Sequence, residues 1–161
     1  MNIFVKKELS MPIKPSKMNA FLFFKLPAAY FCGVRVTSIS SATCVTSVKH
    51  RWINQNPFKS MFWAVQGMAA ELSTGAMVIS ALKERKLNIS MLVAKNQASF
   101  SKKARGRITF TCNDGNHIKE VIDNAIASGE GRICTMTSVG RDSDGDIVST
   151  FEFEWSVKVR A

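Results

Sequence analysis

Between Ser60 and Leu82 the sequence SMFWAVQGMAAELSTGAMVISAL carries a single charged side chain, Glu71. A carboxylate in an apolar run is costly unless it is paired, hydrated or neutralised, and burial pushes its pKa upward. That environment suits a general base or a nucleophile. It also suits a structural carboxylate bonded to a neighbouring helix or tipped into solvent. Gly67 and Gly75 stand one helical turn either side of Glu71 on the same face, leaving a shallow groove where a ligand or another backbone could approach. The other reactive residue types are placed less tellingly. Cys32, Cys44, Cys112 and Cys134 are far apart with no CxxC spacing, and His50 and His117 are the only histidines, which argues against zinc. Three of the cysteines fall in strand-like segments and read as small core residues of a reduced, cytoplasmic protein. Asp142, Asp144 and Asp146 lack the remaining ligands of a calcium loop and read as a turn. His50 reads as structural.

The elements that would position Glu71 can be read from periodicity. Met61, Val65, Met68, Leu72, Ala76 and Ile79 recur at steps of three and four, the mark of a helix from Ser60 through Leu82 into KERK. Most remaining positions there are apolar or small, so the helix should be wrapped on several sides. Before it, a short helix ended by Pro27 leads to two β segments, GVRVTSIS and TCVTSVKHRW, joined by a turn at Ser40 and Ser41. Asn56-Pro57 marks entry into the long helix. After it come ISMLVAKNQASF and RGRITFTC, where Ile108, Phe110 and Cys112 alternate with polar residues. A shorter helix follows, with Asn116 as its expected cap and Gly129 as its stop. The chain closes in a hairpin turned at Asp144-Gly145, whose second arm alternates Phe151, Phe153, Trp155, Val157 and Val159 with polar residues. Strands outnumber helices and are joined by tight turns, which predicts an α+β fold with an antiparallel sheet curled around one helix.

Length predicts one domain, residues 17–161, after a leader of residues 1–16 containing Pro12 and Pro15. A hydrophobic content of 46% with 21% charged residues fits a soluble globular chain. The apolar run near Met18–Gly33 is interrupted by Lys25 and Pro27 and is too short to span a membrane. The net charge of +10 suits an anionic partner, such as nucleic acid, a membrane surface or a phosphorylated ligand like coenzyme A. The basic residues form no dense block; the nearest is Lys102, Lys103, Arg105 and Arg107, read as a solvated strand edge. Without an aromatic-basic motif, nucleic acid is the weakest of these partners.

The order of elements, and the segment NQNPFKSMFWAVQGMAAELSTGA above all, resembles the hotdog fold, in which a curved antiparallel sheet wraps a long central helix. The resemblance runs from about Leu26 to Arg160. It points to small acyl-CoA thioesterases of the phenylacetate-pathway type, and more closely to a hotdog branch known only as a domain of unknown function. In such thioesterases an Asn in the loop before the helix is followed fifteen residues later by the acid, an interval that Asn56 and Glu71 keep. The resemblance implies that Glu71 activates water or attacks the thioester, and that Asn56 positions substrate or water. Ser90, with Asn88 as a rival, would assist from the next strand, and Gly67 would border the substrate. A helix running straight from Asn56 to Glu71 would separate them by about 22 Å, so the pair could meet only between two antiparallel chains. A homodimer is therefore expected, with a dimer of dimers also open. The family places a Gly pair in the first turns of the helix; this chain has Phe62 and Trp63, and Trp63 reads either as core or as lining for an acyl pocket. Two functions follow: hydrolysis of an acyl-CoA, or binding of an acyl thioester or acyl chain without turnover. Neither implies a metal or a redox cofactor.

Overall fold

The computed structural model describes residues 13–85 and 88–160; residues 1–12 of the expected leader and Lys86 of KERK lie outside them. The chain opens with two helices rather than one. α1 (Pro15–Lys25) and α2 (Pro27–Phe31) each carry a proline in the first turn, where its missing N–H costs nothing. Pro27 thus ends one helix by starting another. The strands β1 (Arg35–Ile39) and β2 (Cys44–Lys49) follow, then a single 3-10 turn at Trp52–Asn54 and the long helix α3 (Trp63–Arg85). Next come β3 (Ile89–Phe100), β4 (Arg107–Cys112), α4 (Gly115–Ser128), β5 (Arg132–Arg141) and β6 (Ile147–Val159). α4 is capped at Asp114, so Asn116 lies inside its first turn rather than at its cap; Gly129 does stop it, in the left-handed conformation at φ 70°.

The strands form one antiparallel sheet in the order β1-β2-β4-β5-β6-β3, which makes β3 and β1 its two edges. α3 packs across the concave face, and the chain has the curved-sheet, central-helix architecture of the hotdog fold. Alternation dictates the core: Ile108, Phe110 and Cys112 of β4 and Phe151, Phe153 and Trp155 of β6 point under the helix. Half of α3 is buried, wrapped by β1, β2, β4, β5 and β6, and its buried polar groups tie it to the sheet. Thr46 donates to the Ala69 carbonyl at 2.7 Å, and the Ser73 and Ser138 hydroxyls pair at 2.8 Å. Ser149 donates to Gln66 Oε1 at 2.9 Å, and the Trp155 indole N–H donates to Thr74 Oγ1 at 3.0 Å. These bonds fix the rotation of α3 about its axis, because each is satisfied at one orientation only.

The β5–β6 hairpin turns through a five-residue loop in which Asp142 Oδ1 accepts the N–H groups of Asp144 and Asp146, with Gly145 at φ 88°. Lys102 reaches in to pair with Asp142 and Asp146 at 2.6 and 2.7 Å. The acidic string therefore builds a turn and neutralises one of the basic residues of the Lys102–Arg107 stretch.

Candidate active site

Glu71 sits on the stripe of α3 that carries Gly67 and Gly75, one turn to either side of it. Its carboxyl is half-buried and has no hydrogen-bond or ion-pair partner among the described residues, and burial pushes its pKa above the ordinary 4.5. The neighbouring turns fix what it faces. A Cβ on Gly67 would touch Phe151 at 3.5 Å, and one on Gly75 would press on the Trp155 ring at 3.2 Å. Eight residues of helix, about 12 Å, thus run beside four residues of strand, about 13 Å, and Glu71 stands midway along that stretch. The glycines therefore do not frame an empty groove. They let α3 settle on the aromatic row of β6.

Asn56 stands elsewhere in the protomer. α3 begins at Trp63, not at Ser60, and residues 56–61 form a tight loop closed by Asn56 N–H to the Ser60 carbonyl at 2.8 Å. Asn56 Oδ1 accepts from the Phe58 N–H, the Ser60 N–H and the Ser60 hydroxyl at 2.9, 3.2 and 3.2 Å. Its Nδ2 makes only a long 3.4 Å contact to the Met61 carbonyl, and so keeps donor capacity for a ligand. Asn56 opens onto a cleft of about 470 Å³ lined by Met61, Trp63, Gln66, Phe100 and Lys103, with Glu71 outside it. Trp63 is not core; it is 56% exposed, edge-on to Phe62. The Phe62 N–H is spent on the Asn54 carbonyl at 2.9 Å. The N–H groups of Trp63 and Ala64, in the first turn of α3, have no carbonyl a turn behind them within the helix, and point out of its positive end.

The two polar residues of β3 are sorted by a bulge. Ser90 pairs across the ladder with exposed Lys158 and accepts a bond from Arg160 at 3.2 Å, on the convex face away from α3; Asn88 is exposed just before the strand. At Ala94 the register slips by one residue, which reverses which side chains face inward. Before the bulge Ile89, Met91 and Val93 lie on the inner face of the sheet; after it Asn96, Ala98 and Phe100 do, opposite Phe153, Phe151 and Ser149. Asn96 is therefore the polar residue that β3 places on the inner face of the sheet, opposite Phe153. No periodicity rule applied to ISMLVAKNQASF reveals it, because strict alternation puts Asn96 with Ser90; the only signal is the break in apolar alternation after Val93.

Other candidate nucleophiles are disarmed. Burial pushes the thiols of Cys44, Cys112 and Cys134 up to about 12, leaving them protonated at neutral pH. The main-chain N–H of His50 donates to the Gly106 carbonyl at 2.7 Å, and its imidazole Nε2 is buried without a hydrogen-bond partner among the described residues. Among the described residues no group of His, Cys, Asp or Glu is arranged to hold a metal ion, and no helix is long and apolar enough to cross a membrane.

Comparison with known proteins agrees with this architecture. The family model of a domain of unknown function, DUF4442, matches residues 16–157. No curated protein matches the chain. Among solved structures, a probable thioesterase of unknown function from Pseudomonas aeruginosa superposes with a TM-score of 0.75 at 18% identity, covering 93% of this chain and 99% of that one. A protein of unknown function from Chlorobaculum tepidum gives 0.77 at 15% identity, covering 92% and 99%. A thioesterase from Haemophilus influenzae gives 0.69 at 11% identity, covering 91% and 92%. At these identities the likeness is one of fold.

Proposed function

The chain belongs to the DUF4442 family, and from that premise we propose that it is an acyl-CoA thioesterase acting as a homodimer, with Glu71 as general base. One observation carries this reading: a half-buried carboxylate without a partner among the described residues, set on the central helix between two glycines that pack on the aromatic row of β6. Glu71 takes a proton from water as the oxygen adds to the thioester carbonyl. The tetrahedral oxyanion then collapses, the C–S bond breaks, and the thiolate recovers the proton from the Glu71 carboxyl. Direct attack by Glu71 would instead pass through an anhydride that water opens. The oxyanion would be met by N–H groups at the start of α3 and by Asn56 Nδ2. Because Asn56 and Glu71 occupy separate places in one protomer, the site is completed by a second chain, joined through the free edge of β3. Lys59, Lys103 and Arg105 at the cleft rim would attract the phosphates of coenzyme A.

The second reading, acyl-thioester binding without turnover, is favoured by the committed Phe62 N–H and by the Trp63 ring standing where substrate would enter. Free-thiol release from short, medium, long and aryl acyl-CoAs separates the two. Activity that Glu71→Gln abolishes supports the enzyme; tight acyl-CoA binding with no turnover supports the binding protein. Turnover indifferent to Glu71→Gln sinks the mechanism.

A further inference from the structure

α1 and α2 carry an aromatic surface that the fold does not consume. Phe23, Phe24, Tyr30 and Phe31 touch one another with ring centroids 5.0 to 6.3 Å apart, yet Phe24 is 75% and Phe31 61% exposed. A contiguous exposed aromatic cluster is unusual on a soluble surface and marks an interaction site. Its rim is cationic. Lys14, Lys17, Phe21 and Phe24 follow at steps of three and four, so lysine and phenylalanine share one exposed face of α1. Lys14, Lys17 and Lys83 surround a cavity of about 340 Å³ floored by Met18, Phe21 and Ile79. Arg35 stacks on Tyr30 at 3.7 Å, and Lys25 ends α1. No Asp or Glu occurs anywhere from residue 9 to residue 70, whereas seven Lys or Arg lie between residues 13 and 70.

We infer that the α1–α2 corner docks on the surface of an anionic lipid bilayer. Aromatic rings that insert at headgroup depth, ringed by lysines with apolar stems and charged tips, match the two halves of such a surface, acyl boundary and phosphate. The acid-free stretch removes the like-charge repulsion that would oppose approach. Place in the fold argues against a second copy as the occupant. Asn19 clamps α1 to Val36 of β1 through two bonds of 2.9 Å, so the cluster stands at the β1 edge, the far end of the sheet from β3. A dimer built on β3 leaves both corners open. Docking is independent of Glu71 chemistry and would bring the protein to long-chain acyl amphiphiles.

The test is co-sedimentation of the full chain with vesicles of phosphatidylcholine alone and of phosphatidylcholine containing about one third phosphatidylserine. Binding to the anionic vesicles only, weakened by salt, is expected. Phe24→Ser with Phe31→Ser, and separately Lys17→Gln with Lys25→Gln, should each lower the partition coefficient by about an order of magnitude or more. Both pairs are exposed, so unchanged circular dichroism and thermal melting will report an intact fold, and hydrolysis of short acyl-CoA in solution should be unaltered. Equal binding to both vesicle types, no binding to either, or displacement by inorganic phosphate at physiological concentration would overturn the inference. So would a drop in oligomer size for the Phe pair, which would assign the cluster to self-association.

Discussion

As the proposed general base, Glu71 would serve chemistry at the expense of the fold, and the sign of that conflict can be measured. Its pKa in the folded chain lies above the ordinary 4.5 because burial disfavours the charged form. Between the two values the native state holds more protons than the unfolded state, so stability falls as pH rises through that window and stays reduced above it. Glu71→Gln removes the buried charge and keeps the shape. The variant should therefore melt at a higher temperature than wild type at pH 7 to 8, and the difference should vanish below about pH 4, where both side chains are neutral. Its hydrolysis of acyl-CoA should fall by about 10²- to 10⁴-fold, the usual contribution of a general base. For wild type, activity should rise with pH to a plateau, with a midpoint above the ordinary carboxylate range. A variant that loses activity and stability together would show Glu71 to be structural.

At the scale of elements, α3 is held in register by buried side-chain hydrogen bonds to the sheet, and β3 is divided by its bulge. Thr74→Val keeps the volume but leaves the Trp155 indole N–H without its acceptor; urea denaturation should show a loss of about 1–3 kcal/mol. Asn96→Ala should lower kcat for acyl-CoA hydrolysis while Ser90→Ala leaves it near wild type, because of the two only Asn96 lies on the inner face of the sheet, opposite Phe153. Equal effects would refute the assignment made from the bulge. These two residues also mark how far the sequence can be read. Six strands, the long helix and its lone carboxylate follow from alternation and from three-four spacing, which burial imposes directly on residue type. The bulge at Ala94 does not, since a one-residue slip depends on how β3 meets β6 and leaves no composition signal. The start of α3 escapes for a similar reason: Ser60 and Met61 continue the apolar spacing, but Asn56 draws residues 58–60 into its own turn and delays the helix to Trp63.

At the scale of the whole molecule, the question is what covers the edge of β3. β3 is twelve residues long, sits at the end of the sheet, and is exposed from Ala94 to Phe100 with Lys95 as its only charge there. Such an edge invites pairing with another strand, and a two-fold axis beside it would lay the two α3 helices antiparallel. Asn56 of each protomer would then be carried toward Glu71 of the other. Two damaged variants test this without any structure of the assembly. Asn56→Asp keeps the acceptor that organises the loop and removes the Nδ2 donor; Glu71→Gln removes the base. If the site draws one residue from each chain, denaturing and refolding the two inactive variants together should yield heterodimers with one intact and one doubly damaged site. Random assortment makes half the dimers mixed, so activity should recover to about one quarter of wild type. If Asn56 and Glu71 serve the same site from the same chain, every site in the mixture carries a lesion and activity stays at the level of the separate variants.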